Sequence, residues 1–121
     1  MKICVTSQGD NLDAQVDPRF GRCPYFIIAD TDTSEIEAIQ NPNVSGMGGV
    51  GVQTGQLMSE KQVKAVLTGN VGPNAFRTLQ VAEIDVITGI SGNVKEAIEK
   101  YKSGELKPAD DSSVDSKFGM N

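Results

Sequence analysis

The chain has no histidine among its 121 residues. This absence excludes the serine–histidine and cysteine–histidine pairs of nucleophilic enzymes, together with every metal site that depends on imidazole. Cysteine is also scarce, since Cys4 and Cys23 are the only two. Zinc sites usually need paired C-x-x-C motifs or added histidine, and these cysteines form neither pattern. The sequence therefore lacks the residues of the common catalytic triads and zinc centres.

Aromatic and basic residues are also few. Tyr25, Tyr101 and four phenylalanines are the only aromatic residues, so no stacking platform for single-stranded nucleic acid is evident. The formal net charge of −5 argues against nucleic acids and anionic membranes as partners. No apolar run approaches the roughly 20 residues that span a bilayer. The N-terminal MKICVTS lacks the apolar core of a signal peptide, so we expect a cytoplasmic protein without a structural disulfide.

The length of the chain fits a single domain. β-rich segments predict five strands, at 2–7, 25–30, 35–40, 64–68 and 84–88. Helices are predicted at 50–61, from Pro73 through Leu79, and after a capping box of Asn93 and Glu96, with Gly104 as the last helix's stop. The segment between the first two strands, Gln8–Arg22, is expected to be a polar loop.

This order of elements defines a fold class. The later β-α-β-α run requires parallel strands, and the hairpin of the second and third strands adds an antiparallel edge. We therefore predict an α/β fold, a three-layer α/β/α sandwich around a mixed five-stranded sheet. Residues 1–106 are expected to form the domain, and residues 107–121 a disordered acidic tail.

Gly46, Gly48 and Gly51 spell G-x-G-x-x-G, the dinucleotide-binding fingerprint. A working fingerprint follows the first strand and has an acidic residue about 20 positions later. Here the glycines follow the third strand, and Val71 lies at the expected acidic position. A nucleotide site is therefore not supported. Glycines at a helix start still allow backbone amides to approach an anion closely.

A second glycine turn, Gly69–Asn74, also lies between a strand and a helix. In a parallel sheet both glycine loops would lie at the carboxyl edge, where α/β folds bind ligands. The alternative is that both loops are merely tight turns.

Basic residues are rare in the first half of the chain. Lys2, Arg19 and Arg22 are the only ones within residues 1–60, against eight acidic residues. Arg19 and Arg22 lie in one short loop, where they could clamp an anion held by the glycine loops. They could equally pair with acidic residues of the same loop, namely Asp10, Asp13 or Asp17.

These segments together resemble the nitrogenase accessory-factor family, which takes part in iron–molybdenum cofactor biosynthesis. The similarity is strongest to its orange-protein members, which bind a molybdenum–copper cluster. The matching segments are VDPRFGRCPYF at 16–26, NPN at 41–43, GGVGVQTGQLM at 48–58, VKAVLTGNVGPNAF at 63–76 and VKEAIEKYKSGEL at 94–106. They cover roughly residues 1–106 in the family's order.

The resemblance implies a ribonuclease-H-like motif that binds a preformed metal–sulfur cluster, of Mo–Cu–S or Fe–Mo–S type, or its precursor, without catalysis. Such clusters are polyanionic, so backbone amides and arginines are suitable hosts. It also implies proteins that donate or accept the cluster as partners. The implied cofactor-binding residues are Arg19, Phe20, Gly21, Arg22, Gly46, Met47, Gly48, Gly49, Gly51, Gly69, Asn70, Gly72, Pro73 and Asn74.

Family members that hold cofactor through histidine have no counterpart in this chain, because it lacks histidine. A direct bond to metal would fall to Cys23, to Cys4 or weakly to Met47, whose sulfurs are soft ligands. Non-covalent electrostatic binding is the more economical hypothesis. The expected function is therefore a non-catalytic carrier of a metal–sulfur cluster.

Two other classes of function were weighed against the carrier. A nuclease with a ribonuclease-H-like fold needs clustered carboxylates, typically with one on the first strand, and KICVTS has none. A regulatory module that binds a small molecule or nucleotide and acts through a partner remains the alternative.

Overall fold

The computed structural model describes residues 1–42 and 50–109. Its strands are β1 (Lys2–Ser7), β2 (Tyr25–Asp30), β3 (Ile36–Gln40), β4 (Val63–Leu67) and β5 (Asp85–Ile87). Its helices are α1 (Val50–Glu60), α2 (Pro73–Val81) and α3 (Val94–Lys102), and a short 3-10 turn covers Phe20–Arg22. The predicted order of strands and helices is confirmed, and boundaries differ from the prediction by at most two residues.

Strand β1 lies at the centre of the sheet, whose order is β3-β2-β1-β4-β5. It pairs antiparallel with β2 and parallel with β4, while β2 and β3 are antiparallel and β4 and β5 parallel. A strand that is covered on both faces is apolar on both, and β1 is buried from Ile3 to Ser7. Because β1, β4 and β5 run in one direction, the loops that follow them leave the sheet at the same edge.

The sheet separates two apolar cores. One core lies between the sheet and the helices α1 and α2, which contribute Met58, Ala75, Phe76 and Leu79. The other lies between the sheet and α3, which contributes Val94 and Ala97. The three-layer α/β/α arrangement is therefore confirmed. The ribonuclease-H-like name stays a prediction.

Helices α1 and α2 approach each other closely at Gly55. A Cβ atom at this position would lie 2.5 Å from Cγ2 of Thr78 on α2. A glycine within a helix costs roughly 0.5–1 kcal/mol relative to alanine. In α1 the close approach to α2 requires a glycine, which accounts for Gly55 despite this cost.

Helix α3 has the predicted caps at both ends. The Asn93 side chain accepts from the backbone N–H of Glu96, and the Glu96 carboxylate accepts from the backbone N–H of Asn93. At the other end Gly104 takes a φ of +81°, and its N–H donates to the carbonyl of Tyr101. The N–H of Glu105 donates to the carbonyl of Lys100. This pair of bonds is a Schellman motif, for which glycine is the favoured residue.

The segment between β1 and β2 differs from the expected polar loop because it is fixed to the sheet and to the loop before α3. The N–H of Gln8 donates to the carbonyl of Gln15, and the N–H of Val16 donates to the carbonyl of Gly92. Val16, Asp17 and Phe20 are buried. These contacts carry no local signal in the sequence, because the bond from Val16 to Gly92 joins residues far apart in the chain.

Residues beyond 106, the expected end of the domain, still contact the fold. The backbone N–H of Ala109 donates to the carbonyl of Val86 on β5, at 2.7 Å. Ala109 also packs against the core under α1 and α2. The rest of the expected tail, residues 110–121, lies outside the described residues. Within the described ranges, no helix is long and apolar enough to cross a membrane.

Candidate functional site

The loop after β1 and the turn after β4 meet at the carboxyl edge of the sheet. The N–H of Phe20 donates to the carbonyl of Asn70, at 3.2 Å, and the N–H of Asn70 donates to the carbonyl of Pro18, at 2.7 Å. Arg19 and Asn70 form an isolated parallel bridge. The structure thus brings together two of the three predicted site segments, Arg19–Arg22 and Gly69–Asn74. We call these two segments the Arg–Gly surface.

Gly69 makes this meeting possible. A Cβ atom at Gly69 would lie 2.6 Å from Cα of Pro18 and 3.0 Å from its carbonyl oxygen. These are backbone atoms, so the clash could be relieved only by moving the loop. A glycine at position 69 is therefore required by packing. The sequence alone had left open whether this glycine turn is a tight turn or an anion-binding loop.

A buried hydroxyl pair supports the same edge from beneath. The hydroxyl oxygen of Thr6, on β1, lies 2.9 Å from the hydroxyl oxygen of Thr68 and 2.6 Å from the carbonyl oxygen of Asp17. The N–H of Asp17 donates to the carbonyl of Thr6. All three residues are at most 1% exposed. Buried polar groups with complete hydrogen bonding hold a single geometry, so Asp17 is fixed relative to both strands.

Arg19 forms an ion pair with Asp17. The Asp17 carboxylate accepts from the Arg19 backbone N–H at 2.8 Å and from its Nε and Nη2 atoms at 3.3 Å each. The Arg19 side chain is 60% exposed, whereas that of Asp17 is only 2% exposed. The hydrogen bond and the charge of Asp17 raise the pKa of Arg19, so the guanidinium stays charged. The pairing alternative of the sequence analysis is thus realised for Arg19, with Asp17 as the partner.

Arg22 differs from Arg19 in its contacts. It is exposed at the end of the 3-10 turn and forms no ion pair with the residues that the structure describes. A charged guanidinium without a carboxylate partner keeps its full attraction for an anion. Arg22 is therefore the better placed of the two arginines for an anionic ligand.

Helix α2 begins beside this surface. Gly72 is its N-cap, with extended backbone, and no side chain caps the helix. Pro73 takes the first helical position, where a missing N–H costs nothing. No heavy atom lies within 4 Å of a Cβ built on Gly72, so the space beside this N-cap residue is open. The first turn thus presents the positive end of the helix dipole and free backbone N–H groups, although Pro73 itself has none. That Gly72, Pro73 and Asn74 bind a ligand stays a prediction.

Phe20 and Cys23 do not present their side chains to a ligand in this structure. Phe20 is 2% exposed, and its ring lies 6.0 Å from that of Phe26 between centroids. The Cys23 thiol is buried and donates to the carbonyl of Phe20 at 3.4 Å. Burial raises the pKa of Cys23 to about 12 and raises that of Cys4 well above its usual range. Both thiols are therefore protonated at neutral pH, whereas metals bind the thiolate.

Asn41 is a residue that the sequence analysis did not assign to the site. Its side-chain amide donates to the carbonyl of Gly21 at 3.2 Å and to that of Cys23 at 2.8 Å. Asn41 is 2% exposed and directly follows β3. It therefore fixes the turn that carries Arg22. A buried asparagine after an edge strand could have signalled this role, but its acceptors cannot be read from the sequence.

The third predicted segment lies largely outside the described residues. Gly46, Met47, Gly48 and Gly49 fall in the undescribed range 43–49, while Gly51 lies in the first turn of α1. Among the described residues there is no group of three or more His, Cys, Asp or Glu side chains that could hold a metal ion.

The sequence model of the "dinitrogenase iron-molybdenum cofactor" family matches residues 1–104. The chain therefore belongs to this family, which confirms the resemblance found from the sequence. An uncharacterised protein of Methanocaldococcus jannaschii is 32% identical over 110 residues, covering 88% of this chain and 90% of its own.

Solved structures agree with this assignment. The apo form of the orange protein from Desulfovibrio gigas has a TM-score of 0.90 and 33% identity, covering 93% of this chain and 95% of that one. A Thermotoga protein described as a NifB candidate has a TM-score of 0.78 and 34% identity, covering 88% and 91%. Family and structural neighbour together point to a role in handling a metal cluster.

Proposed function

We propose that this protein binds and carries an anionic metal–sulfur cluster, or a precursor of one, at the Arg–Gly surface. The cargo is of the molybdenum–copper sulfide or iron–molybdenum type, and the protein does not transform it. Membership of the iron–molybdenum cofactor family and the likeness to the apo orange protein support this class of cargo.

The observation that carries the proposal is the hydrogen bonding between the loop that carries the exposed Arg22 and the turn that leads into the uncapped start of α2. Arg22 and the helix N-terminus each attract negative charge, and both lie at the edge of the sheet where the loops after β1 and β4 meet. Gly46, Gly48 and Gly49, which precede α1 in the sequence, are further candidate residues of this site and lie outside the described residues. A polyanionic sulfide cluster suits such a surface better than a neutral ligand does.

The cargo is held without a protein–metal bond in this proposal. Both cysteines are buried, and their raised pKa values keep them in the thiol form. Family members that bind the metal through histidine differ from this chain, which has no histidine. Binding by charge and hydrogen bonds also suits a carrier, because the cluster can leave without a ligand exchange at the metal.

Reconstitution of the purified chain tests the proposal. The protein is incubated with tetrathiomolybdate and copper, passed over a desalting column, and examined for visible absorbance and metal content. We expect saturable uptake by the wild type and a loss of about tenfold in affinity for Arg22→Ala. Lys100→Ala is the matched control, because it removes one exposed positive charge from α3, in the opposite layer. Equal losses in both variants, or no uptake by folded wild type, would contradict the proposal.

A further inference from the structure

The outer edge of β3 carries unpaired backbone groups. The N–H of Asp30 donates to the carbonyl of Glu35, and the N–H of Asn41 donates to the carbonyl of Pro24. The register between β2 and β3 is continuous, so odd-numbered residues from 35 to 41 direct their backbone groups toward β2. The even-numbered residues direct theirs away from the sheet. They are Ile36, Ala38 and Gln40.

The two edge strands of the sheet differ in how far their outward-facing backbone groups are protected. At the β5 edge the strand is only three residues long, and the carbonyl of Val86 already accepts a hydrogen bond from the N–H of Ala109. At the β3 edge the strand is five residues long and has no proline, lysine or bulge, and its one charged residue, Glu37, is paired with Lys61 of its own chain. Among the described residues, nothing in the structure pairs with this edge.

Helix α3 covers one face of the sheet but leaves the side chains of β3 on that face exposed. Ile36 is 45% exposed, although it lies opposite Ala29, whose side chain is buried in the core under α3. A groove of about 260 Å³ runs between β3 and α3. Its lining is half apolar (Leu12, Ala29, Ile36 and Ile98) and half polar (Ser34, Lys95, Glu99 and Lys102). The apolar surface beside the edge adds a hydrophobic component to the open backbone groups.

We propose that two copies of this chain associate through their β3 edges, as antiparallel neighbours in one continuous ten-stranded sheet. In the register centred on Ala38, each Ala38 faces the Ala38 of the other copy, and Ile36 faces Gln40. All three outward-facing residues then exchange both backbone hydrogen bonds with the other strand.

Charge disfavours the register centred on Glu37. With Glu37 at the centre, the two Glu37 carboxylates would be directly opposite, which is destabilising. With Ala38 at the centre, Glu37 faces Ile39, and the Glu37 carboxylates are only diagonal neighbours. Each is also paired within its own chain to Lys61, whose Nζ lies 3.2 Å from the Glu37 carboxylate. The pairing is therefore self-complementary and partly dependent on Lys61.

The association should be weak. Two five-residue strands, paired edge to edge, bury less than the roughly 1,200 Å² at which stable interfaces begin. The dimer therefore forms at high protein concentration and dissociates on dilution.

Sedimentation velocity of the full chain, from about 10 µM to about 1 mM, measures this self-association. We expect the mass to rise from that of the 12.9 kDa monomer toward twice that value. Ala38→Lys, which opposes two ammonium groups at the centre, should stay monomeric throughout. Val81→Lys adds the same charge at a position that is 81% exposed on α2, and should associate like the wild type.

Two further variants separate the edge from folding. Ala38→Pro removes an N–H that points away from β2, so its melting temperature should stay near that of the wild type while association is lost. Ala38→Cys should cross-link to itself, because both native cysteines are buried. A wild type that stays monomeric over the whole range overturns the proposal, even if the edge captures another protein. Association that is unchanged in Ala38→Lys and Ala38→Pro overturns it as well.

Discussion

The buried carboxylate of Asp17 holds the exposed guanidinium of Arg19 side-on, through the Nε and Nη2 atoms at 3.3 Å each. Asp17 is itself fixed, since its carbonyl accepts from the Thr6 hydroxyl at 2.6 Å and its N–H donates to the Thr6 carbonyl. A side chain on the surface is thus oriented by a group in the interior. We propose that Asp17 is a positioning residue, which holds the exposed guanidinium of Arg19 in one orientation as a second cation of the Arg–Gly surface.

Asp17→Asn tests this positioning role. The amide oxygen can still accept from the Arg19 backbone N–H, but the charge that aligns the guanidinium is lost. We predict about tenfold weaker cluster uptake by the folded protein, measured by titration with tetrathiomolybdate and copper. Asp13→Asn, an exposed carboxylate of the same loop, should change little. Tighter uptake by Asp17→Asn would show instead that Asp17 merely neutralises Arg19.

Gly69→Ala should destabilise the fold. Its Cβ would lie 2.6 Å from Cα of Pro18, so the two loops of the Arg–Gly surface would have to separate. We predict a loss of about 1–3 kcal/mol in the free energy of unfolding, measured by urea denaturation. Gly72→Ala is the control, because its Cβ meets open space and its φ is −77°. A loss above about 0.5 kcal/mol there, or none at Gly69, would contradict this account.

Local signals in the sequence were sufficient for the sheet and for α3. β-rich segments marked the strands, and the capping box of Asn93 and Glu96 was found as predicted. These features depend on residues within a few positions of one another. The G-x-G-x-x-G spelling lies mostly outside the described residues, so the rejection of a nucleotide site stays a prediction from the sequence.

The arrangement within the site could not be read from the sequence in the same way. Asp17 was one of three carboxylates that could have paired with the arginines, and only the contact with Thr6 fixes it as the partner of Arg19. Phe20 was expected at the ligand but lies in the core, because the loop after β1 turns inward. Such outcomes depend on contacts between distant segments, for which a single sequence carries no local signal.

The stability of the protein should fall above pH 9. The pKa of Cys23 is raised by burial from 9.0 to about 12 in the folded state, so the unfolded chain loses its thiol proton first as the pH rises. Stability from this group is complete below pH 9 and is lost between pH 9 and 12, by at most about 1.4 kcal/mol per pH unit. Denaturation of wild type and Cys23→Ala across this range measures the difference. A parallel decline in both proteins would contradict the assignment.

Cys23→Ala should keep its capacity for the cluster. The thiol is buried, is protonated at neutral pH and donates to the carbonyl of Phe20, so it takes no part in a binding mode based on charge. Uptake of molybdenum and copper by the folded variant, measured by metal analysis after desalting, should match that of the wild type. Loss of uptake without loss of folding would instead identify Cys23 as a ligand.

The most direct test of the carrier function is metal analysis, with an absorption spectrum, of the protein purified anaerobically from its native host. The account predicts molybdenum with sulfide, together with copper or iron, and visible absorption bands that are absent from the apoprotein. Protein that is colourless and free of these metals, from cells in which they are abundant, would contradict it.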